Sequence, residues 1–571
     1  MGFNNWARYE CDLNQKLFTD TADWMLEHGF LAAGYNTLTV DDCWMTTERD
    51  PDTHALVVNT TLFPQGMGWL GQYLHTRGFK FGIYEDAGYM TCGGYPGSQG
   101  HYDQDVAQFA AWEVDYIKLD GCYIKRNESL PKSDTLEPTF HYLYRSFGEA
   151  IRSQPRPMVY SESAPAYFAG ASAGTGTKVG RDWYKVHTWI GRYGQLWRHS
   201  TDIAVWHDDG NSRWYSVMTN YNFNMRLARF QRPGNWNDPD FIVTGDNEGL
   251  TFEEQRSQFG LWTIMASPLI LSTDVKILST SQIAYLTNPE SISINQDPLG
   301  IQGRFARLTV DNDVLVKPLA NSSQRAVAIL NKRSESSNVT IPYARFGYTF
   351  KPSDVGCNLL IRELFSQSEV TVTVRNPRQE SLSVLLNPHD TALYRITTLT
   401  NAPECRVSVP TGIVYLTSSF LCMAFQGGEP SDGVQVVASP CTTVESQLWQ
   451  ISTAPPPFEG QTSTSVPVGV DPAVIFWIKT LDNYCLDLEL STFSPAIGSR
   501  IVVNKCDIGR ETQQWRYDPI EGTLYHAYSG FCIDAPDASN SIAEFSTDER
   551  IQLKLSLCGS QRDTQVWSLP A

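Results

Sequence analysis

The segment Tyr116-Ile117-Lys118-Leu119-Asp120-Gly121-Cys122 carries the pattern that decides the fold of this chain. A short apolar run, which predicts a buried strand, ends directly on an aspartate. Other apolar runs before residue 300 end in the same way, on Asp41-Asp42, Glu85-Asp86 and Glu162. Acidic residues at the carboxyl ends of successive parallel strands are where a (β/α)8 barrel assembles its active site. The pattern therefore predicts a TIM barrel.

The spacing of strands and helices supports a barrel. The predicted strands are Leu38–Val40, Phe79–Tyr84, Tyr116–Leu119, Met158–Tyr160, Phe241–Val243 and Leu269–Leu271. Between them, apolar residues recur with a helical period in two series, Phe18, Ala22, Met25, Leu26 and Phe140, Leu143, Tyr144, Phe147, Ile151. Alternating strands and helices predict a parallel sheet. No GxGxxG fingerprint follows the first strand, which disfavours a dinucleotide-binding fold, so we expect residues 1–305 to form the barrel.

Two further domains are predicted after the barrel. Residues 306–400 carry alternating β-rich runs such as Val370-Thr371-Val372-Thr373-Val374, which favour an antiparallel β-sandwich. After a short linker at Asn401-Ala402-Pro403, residues 405–571 contain three Gln-x-Trp units, each preceded by two cysteines. The cysteines are Cys422 and Cys441, Cys485 and Cys506, and Cys532 and Cys558, and the units begin at Gln447, Gln513 and Gln565.

Composition and charge disfavour several classes of function. The 571 residues include 44 Lys and Arg against 62 Asp and Glu, a net charge of −18, so the chain is a poor candidate for binding nucleic acid. No apolar run reaches the roughly 20 residues that a spanning helix needs, so we expect no membrane partner. Histidine is scarce, with 10 residues, and neither a CxxC pair nor an HExxH motif occurs. We therefore predict neither a metal site nor a cofactor.

Cysteines and glycosylation sequons favour a secreted, extracellular protein. The chain contains 12 cysteines, and Asn-x-Ser/Thr sequons begin at Asn59, Asn127, Asn321 and Asn338. The chain opens with Met1-Gly2-Phe3, which is not a charged and apolar leader, so we expect a leader that was removed or not included.

Two aspartates are candidates for catalysis on their positions alone. Asp120 ends the strand that also carries Lys118 on the same face, and Asp202 closes the run Trp197-Arg198-His199-Ser200-Thr201-Asp202. Glycosidic cleavage needs two carboxyl groups in one pocket, one ionised and one protonated. Aspartates at strand ends could equally hold a divalent metal or brace loops. The residues alone leave these alternatives open.

Six motifs along residues 1–305 resemble those of glycoside hydrolase family 27, which comprises α-galactosidases and α-N-acetylgalactosaminidases. They are Met1-Gly2-Phe3-Asn4-Asn5-Trp6, Val40-Asp41-Asp42-Cys43-Trp44, Gly82-Ile83-Tyr84, Lys118-Leu119-Asp120-Gly121-Cys122, Trp236-Asn237-Asp238-Pro239-Asp240 and Ile294-Asn295-Gln296-Asp297-Pro298-Leu299-Gly300. The resemblance implies a retaining exo-α-glycosidase, and the predicted sandwich also fits the family pattern. A catalytically silent lectin is the remote alternative, and it would be favoured if either candidate aspartate were missing.

The resemblance also implies residue roles. It makes Asp120 the catalytic nucleophile and Asp202 the general acid/base. Asp41 and Asp42 would grip the axial 4-OH and the 6-OH of a galactose-configured ring, since a carboxylate accepts two hydroxyl hydrogen bonds. Other implied substrate-binding residues are Trp6, Tyr84, Cys92, Lys118, Cys122, Tyr167, Arg198 and Asp240. For Asp240 a salt-bridge role is the alternative.

Cysteine pairing follows from resemblance as well. Family 27 pairs the cysteines that match Cys11 with Cys43 and Cys92 with Cys122. The three C-terminal repeats resemble the ricin-type lectin β-trefoil, which implies one disulfide within each lobe. Cys357 and Cys405 are left as a pair or as free thiols.

The lectin resemblance gives two candidate sugar-binding residues. Ricin-type sites carry an aspartate two residues after the first cysteine of a lobe, and Asp487 and Asp534 match it, whereas the first lobe has Ala424. All three lobes lack the asparagine that usually precedes Gln-x-Trp. We therefore expect any glycan binding by the trefoil in lobes two and three.

Two small residues favour one sugar within the family. Ser163 and Ala166 match positions where family members that prefer a free 2-OH carry Glu and Leu. Small side chains leave room for a 2-acetamido group, so we expect cleavage of terminal α-linked N-acetylgalactosamine, with some activity on α-linked galactose. The alternative is an α-galactosidase.

Overall fold

The structure is a computed structural model. It describes residues 1–130, 132–170, 182–204, 213–246, 249–405, 407, 410–453, 474–489, 495–507, 509–536, 538, 550–559 and 563–570.

Eight parallel strands and the helices around them form the N-terminal part. The strands are β1 (Gly2–Asn4), β2 (Thr37–Val40), β3 (Lys80–Asp86), β4 (Tyr116–Asp120), β5 (Val159–Glu162), β6 (Leu196–Arg198), β7 (Trp236–Asp238) and β8 (Ile270–Leu271). The helices are α1 (Trp6–Tyr9), α2 (Gln15–Glu27), α3 (Met67–His75), α4 (Tyr102–Ala111), α5 (Glu137–Ser153), α6 (Trp183–Ile190), α7 (Arg213–Met225), α8 (Phe252–Ile264), α9 (Thr280–Leu286) and α10 (Pro289–Asn295). The sheet order is β7-β6-β5-β4-β3-β2-β1-β8, and a parallel bridge between Ile242 and Leu271 joins the segment after β7 to β8. This is the predicted TIM-type architecture.

Strand register separates two sets of side chains. Tyr84 of β3 lies beside Lys118 of β4, and two residues further along Asp86 lies beside Asp120. Because side chains alternate along a strand, these four point to the same face of the sheet. Glu162 pairs with Leu119 and therefore points to the opposite face.

Three details of the sequence prediction are wrong. The seventh strand is Trp236–Asp238, and the predicted run Phe241–Val243, which follows the left-handed backbone of Asp240 (φ 78°), contributes only the single bridge from Ile242 to Leu271. The strands β1 and β6 were not predicted, because Gly2–Asn4 and Leu196–Arg198 each end on a polar residue and contain no run of three apolar residues. On α2, Leu26 is exposed although its spacing suggested a core position.

The predicted β-sandwich follows. It contains β9 (Arg304–Leu308), β10 (Asn312–Pro318), β11 (Gln324–Asn331), β12 (Ser337–Pro342), β13 (Cys357–Glu363), β14 (Glu369–Val374), β15 (Ser381–Leu386) and β16 (Thr391–Thr398). Six strands form one antiparallel sheet in the order β14-β13-β16-β11-β10-β9, and β12 pairs with β15. Both sheets contribute to one core, in which Ile329 and Ile361 of the larger sheet join Ile341 of the smaller.

The C-terminal part is a β-rich domain with threefold internal similarity. Its strands are β17 (Thr411–Gly412), β18 (Tyr415–Leu416), β19 (Leu421–Phe425), β20 (Val434–Pro440), β21 (Trp449–Thr453), β22 (Phe476–Lys479), β23 (Tyr484–Leu488), β24 (Ile501–Lys505), β25 (Trp515–Asp518), β26 (Thr523–His526), β27 (Cys532–Asp534), β28 (Ile551–Gln552), β29 (Lys554–Ser556) and β30 (Trp567–Ser568). The indoles of Trp449, Trp515 and Trp567 are fully buried. Each Nε1 donates to the carbonyl of the residue after its lobe's first cysteine. The tryptophans of the Gln-x-Trp units therefore form part of the core of this domain.

The chain forms two compact units, and the sandwich and the C-terminal domain belong to the same one. The buried guanidinium of Arg345 donates to the carbonyl oxygens of Ala306 (3.2 Å), Thr443 (2.6 Å) and Val444 (2.8 Å). The ring of Phe305 packs against that of Tyr415 at 5.5 Å. These contacts join the two domains within the unit.

Six disulfides cross-link the chain. They are Cys11–Cys43, Cys92–Cys122, Cys357–Cys405, Cys422–Cys441, Cys485–Cys506 and Cys532–Cys558. Cys357 and Cys405 form a disulfide, so they are not the free thiols that the sequence left open as an alternative. Among the described residues, no helix has the length and apolar character to cross a membrane.

Candidate active site

Asp120 stands at the end of β4 between two tyrosines. Tyr167 donates its hydroxyl to Oδ1 of Asp120 at 2.6 Å, and Tyr84 donates to Oδ2 at 3.4 Å. The same Tyr167 oxygen accepts the backbone N–H of Gly121 at 3.1 Å. Hydrogen bonds to both oxygens fix the orientation of the carboxylate.

Lys118 connects Asp120 with the Asp-Asp pair. Its ammonium donates to Oδ2 of Asp41 at 2.8 Å, and the Nδ2 of Asn4 reaches the same oxygen at 2.6 Å. Although desolvation opposes it, the negative charges of Asp41 and Asp120 raise the pKa of Lys118. Lys118 therefore remains a cation between the two carboxylates, although its side chain is buried. Asn4 was missed as a site residue, although it lies inside the motif that opens the chain.

Asp42 is held by backbone amides. Its Oδ1 accepts the N–H of Cys43 and its Oδ2 the N–H of Gly93, both at 2.7 Å. Burial nevertheless raises the pKa of Asp42 to about 6. The carboxyl group can thus accept or donate a hydrogen bond near neutral pH, which suits recognition of a hydroxyl group.

Asp86 is a site residue to which the sequence analysis gave no role. Its Oδ1 accepts the N–H of Gly88 at 2.7 Å and its Oδ2 that of Cys122 at 2.9 Å. These bonds support the backbone that follows Asp120. Asp86, Cys92 and Cys122 have ligand-type atoms within 4.8 Å of one another, but the two sulfurs are joined in a disulfide, so this group offers one carboxylate and no thiolate.

Arg198 organises the second candidate carboxylate. Its Nη2 lies 2.9 Å from Oδ1 of Asp202 and 2.9 Å from Oδ2 of Asp240. The side chain of Asp202 is 76% exposed, whereas that of Asp240 is buried and also accepts the N–H of Ile203 at 2.8 Å. Asp240 therefore forms a salt bridge with Arg198, which is the alternative role that the sequence analysis gave it. Desolvation opposes the effect, but the charges of Arg198 and Lys118 lower the pKa of Asp202.

A short turn after β5 brings three predicted residues together. Ser163 precedes a 3-10 helix that runs from Ala164 to Phe168 and contains Ala166 and Tyr167. In this geometry residues i and i+3 eclipse each other, so Ser163 and Ala166 share a face. Tyr167 is anchored on Asp120. Trp6, the first residue of α1, donates its N–H to Oδ1 of Asn4 at 2.8 Å and is partly exposed.

Glu162 is not part of this cluster, although it also ends a strand. It is fully buried on the opposite face of the sheet, where a Cβ on Gly194 would meet its Oε2 at 2.4 Å. Neither oxygen has a hydrogen-bond partner among the described residues. Burial raises the pKa of Glu162 well above its ordinary range, so the folded protein holds this side chain as the neutral acid.

Because Glu162 is buried as a neutral acid, it should make the free energy of unfolding fall as the pH rises. A raised folded-state pKa means that the contribution to stability is full below the unfolded pKa, about 4.3, and is lost as the pH rises toward the folded value. We expect Glu162→Gln to gain about 1–3 kcal/mol in unfolding free energy relative to wild type between about pH 5 and about pH 8. Denaturant titrations at both pH values measure this difference. The exposed Glu48→Gln is the matched control, and an equal change in both variants would contradict the assignment.

The two candidate lectin aspartates have different surroundings. Oδ2 of Asp487 accepts hydrogen bonds from Asn504 (2.8 Å) and Gln513 (3.0 Å) and lies 3.0 Å from Nε of Arg510. Oδ2 of Asp534 accepts a bond from Gln565 at 3.0 Å, while its Oδ1 has no partner within the described part of the chain. Arg510 belongs to the same repeat as Asp487, but the sequence alone does not show that the two side chains form an ion pair.

Comparison with known proteins places each part in a family. Residues 1–297 match the family model described as alpha galactosidase A, residues 309–396 that of the alpha galactosidase C-terminal beta sandwich domain, and residues 410–567 that of the ricin-type beta-trefoil lectin domain. The chain is 38% identical over 573 residues to alpha-galactosidase A of Aspergillus niger, covering 100% of this chain and 91% of that protein. It is 44% identical over 452 residues to the probable alpha-galactosidase A of Aspergillus terreus, covering 79% of each. The crystal structure of alpha-galactosidase I from Mortierella vinacea matches with a TM-score of 0.59 and 26% identity, over 69% of this chain and 96% of that one.

Proposed function

Because this chain belongs to glycoside hydrolase family 27, the α-galactosidase family, and carries a C-terminal ricin-type domain, we propose that it releases terminal α-linked galactose from the non-reducing ends of glycans. The observation that carries the proposal is the cluster of Asp120, Lys118 and Asp41, in which a cation lies close to two carboxylates at the ends of β4 and β2. In this proposal the Asp120 carboxylate attacks the substrate and the Asp41 carboxylate binds its hydroxyl groups.

The proposed mechanism is a double displacement with net retention. Asp120 attacks the anomeric carbon while Asp202 gives a proton to the leaving oxygen, and a covalent galactosyl-enzyme forms. Asp202 then removes a proton from water, which attacks the same carbon and frees Asp120. Tyr167 and Tyr84 orient the nucleophile, and Arg198 orients Asp202.

The galactose ring is proposed to lie against the Asp-Asp pair. Asp41 and Asp42 would bind the 4-OH and 6-OH, Trp6 would contact the C–H face, and Lys118 would bridge Asp41 and the ring. Contacts from Tyr84, Tyr167, Arg198, Asp240 and the Cys92–Cys122 disulfide complete the proposed pocket.

The preferred sugar is proposed to be galactose rather than N-acetylgalactosamine. The Aspergillus relatives are α-galactosidases by name, which favours the alternative of the sequence analysis over its main expectation. The shared face of Ser163 and Ala166 is consistent with room for a 2-acetamido group, but water can fill that room when a 2-OH is present.

Paired aryl substrates test this preference. We expect kcat/KM for an aryl α-galactoside to exceed that for the matching α-N-acetylgalactosaminide, with a difference within about 200-fold because the pocket is open. The double variant Ser163→Glu with Ala166→Leu should widen the gap by removing the space for the acetamido group. A wild-type enzyme that prefers the N-acetylgalactosaminide would reverse the proposal and restore the first expectation.

The C-terminal domain is proposed to bind glycans through its third lobe. Asp487 is already engaged by Arg510, Asn504 and Gln513, whereas Oδ1 of Asp534 is buried without a hydrogen-bond partner among the described residues. Retention on immobilised galactose-terminated glycan should therefore be lost in Asp534→Asn and kept in Asp487→Asn. Loss of retention in Asp487→Asn alone, with the variant still folded, would contradict this assignment.

We propose that the protein is secreted and glycosylated at its four sequon asparagines. Six disulfides suit an oxidising compartment, and Asn321 and Asn338 are exposed while Asn59 and Asn127 are partly exposed. We propose that the chain has three domains, at residues 1–305, 306–400 and 405–571.

A further inference from the structure

A polar groove lies between α4 and α5. Its volume is about 790 Å³, which falls within the range of about 300–1,000 Å³ that small-molecule sites occupy. The loop after β3, the loop after β4 and one side of α5 line it, and its described lining residues include none of those proposed for catalysis or galactose binding. The groove is therefore separate from the proposed catalytic centre.

Hydrogen bonds fix the walls of the groove. Gln99 and Lys125 join the two loops: the backbone N–H of Lys125 donates to Oε1 of Gln99 at 3.3 Å, and Nε2 of Gln99 donates to the carbonyl oxygen of Lys125 at 3.2 Å. Nη1 of Arg126 donates to the carbonyl oxygens of Ser133 (2.8 Å) and Thr135 (3.3 Å), which closes the loop after β4 on itself. The groove is thus formed before a ligand arrives, as most ligand sites are.

The groove presents many hydrogen-bonding groups and little positive charge. Asp103, Glu128 and Glu149 line it with carboxylates, whereas Arg126 is the only lysine or arginine among its described lining residues. This balance disfavours an anionic ligand, and carboxylates accept hydrogen bonds from hydroxyl groups. Tyr142, which is 39% exposed, adds an amphipathic aromatic ring that can pack against the C–H side of a sugar. The groove therefore suits a neutral carbohydrate.

Asn127, the first residue of a glycosylation sequon, is one of the lining residues. Its Oδ1 accepts the hydroxyl of Ser129 at 2.6 Å and the backbone N–H of Ser129 at 3.0 Å. These bonds use the side-chain oxygen and leave the amide nitrogen, to which the sugar of an N-linked glycan is attached. The backbone N–H of Asn127 donates to Oγ1 of Thr139 at 3.3 Å, which holds the sequon against the first turn of α5.

A stripe of side chains on α5 leads away from the sequon. Thr139, Tyr142, Ser146 and Glu149 recur at spacings of three and four residues, so they lie on one side of the helix. The last three line the groove, and the whole stripe is about 15 Å long at a rise of about 1.5 Å per residue. A glycan attached to Asn127 therefore starts at one end of the stripe and can extend along it.

We propose that this groove binds the glycan attached to Asn127, with the sugar rings nearest the attachment point packed against Tyr142. The inference rests on the glycosylation in the proposed function and adds a binding site for that glycan. A covalent tether supplies an effective concentration in the millimolar range, so a groove with only weak affinity for a sugar is occupied by its own glycan. A free sugar of the same affinity at micromolar concentration leaves the groove empty.

Protection of the glycan from an endoglycosidase tests this proposal. The protein is secreted from a eukaryotic host that attaches oligomannose glycans, and mass spectrometry follows their release from the folded enzyme at each sequon. We expect release at Asn127 to be about 3- to 10-fold slower than at Asn321, because the glycan must first leave its aromatic contact. Asn321 is the matched control: its Oδ1 accepts the hydroxyl of Ser323 at 2.8 Å, but the residue is exposed in the turn between β10 and β11.

A substitution in the groove separates binding from simple crowding. Tyr142→Ala should raise the rate of release at Asn127 to about that at Asn321 and leave the rate at Asn321 unchanged. Tyr215→Ala, which removes an exposed tyrosine of α7 outside the groove, should change neither rate.

Other results overturn the inference. Equal rates of release at Asn127 and Asn321 in the unsubstituted protein would show that the glycan extends into solvent. Slow release at Asn127 that persists in Tyr142→Ala would show that the loop, and not the groove, restricts access. A bare Asn127 beside occupied sequons would remove the proposed ligand, whereas four bare sequons would overturn the proposed glycosylation itself. Activity on an aryl α-galactoside, measured on the same samples, tests the proposed hydrolysis independently.

Discussion

Replacing Asp120 by asparagine should lower kcat/KM for α-galactosides by about four orders of magnitude or more, because the covalent intermediate of the proposed mechanism cannot form without the attacking carboxylate. The amide keeps an oxygen that can accept the hydroxyl of Tyr167, and Gly121 keeps its own bond to that hydroxyl. The fold should therefore be unchanged, and thermal unfolding checks this. Initial-rate measurements on an aryl α-galactoside provide the activity.

A variant with a smaller side chain at position 120 tests whether Asp120 acts as the nucleophile, beyond showing that it is needed for activity. Asp120→Gly opens the space of the carboxylate, and added azide should attack the anomeric carbon in its place and give β-galactosyl azide. Asp86→Asn is the matched control, since Asp86 lies beside Asp120 in the strand register but binds the amides of Gly88 and Cys122. Azide should not rescue this control. Formation of the β-azide by Asp86 variants and not by Asp120→Gly would exchange the two roles.

The position of Asp120 was predictable from sequence because it depends on local rules. A strand of four apolar or alternating residues ends on an aspartate, and the parallel arrangement brings such ends to one edge of the barrel. Alternation also predicts that Lys118 and Asp120 share a face, as they do. Glu162 lies on the other face because its register partner is Leu119, and the register between two strands is not given by alternation within either of them.

Contacts between distant segments could not be predicted in the same way. The bond from Asn4 to Asp41 joins neighbouring strand ends that are 37 residues apart in sequence, and the bond from Cys122 to Asp86 spans 36 residues. The incorrect seventh strand has a similar origin: Phe241–Val243 is apolar enough for a strand, but the left-handed backbone of Asp240 turns the chain before it. Periodicity reports burial, and it does not report where a backbone bends.

Asp202 should show a different signature from Asp120 when it is removed. We expect Asp202→Ala to lower kcat/KM by about 10²–10⁴-fold for sugar leaving groups, which need a proton. The loss should be much smaller for a nitrophenyl leaving group, which departs without one. Comparing the two substrates in the variant measures this difference, and equal losses on both would contradict a role in protonation.

The pH dependence of kcat/KM gives a second test of Asp202. The charges of Arg198 and Lys118 lower its pKa in the free protein, so protonated Asp202 is present only at acidic pH. Since the first step of the proposed mechanism consumes that proton, kcat/KM for sugar leaving groups should fall as the pH rises above the pKa of Asp202. Asp202→Asn should abolish this decline, because an amide does not titrate. Arg198→Lys keeps the charge but changes its position relative to Asp240 and Asp202, so it should shift the decline in pH rather than remove it. A decline that persists unchanged in Asp202→Asn would assign the titrating group to another carboxyl, with Asp42 the first candidate because its pKa lies at about 6.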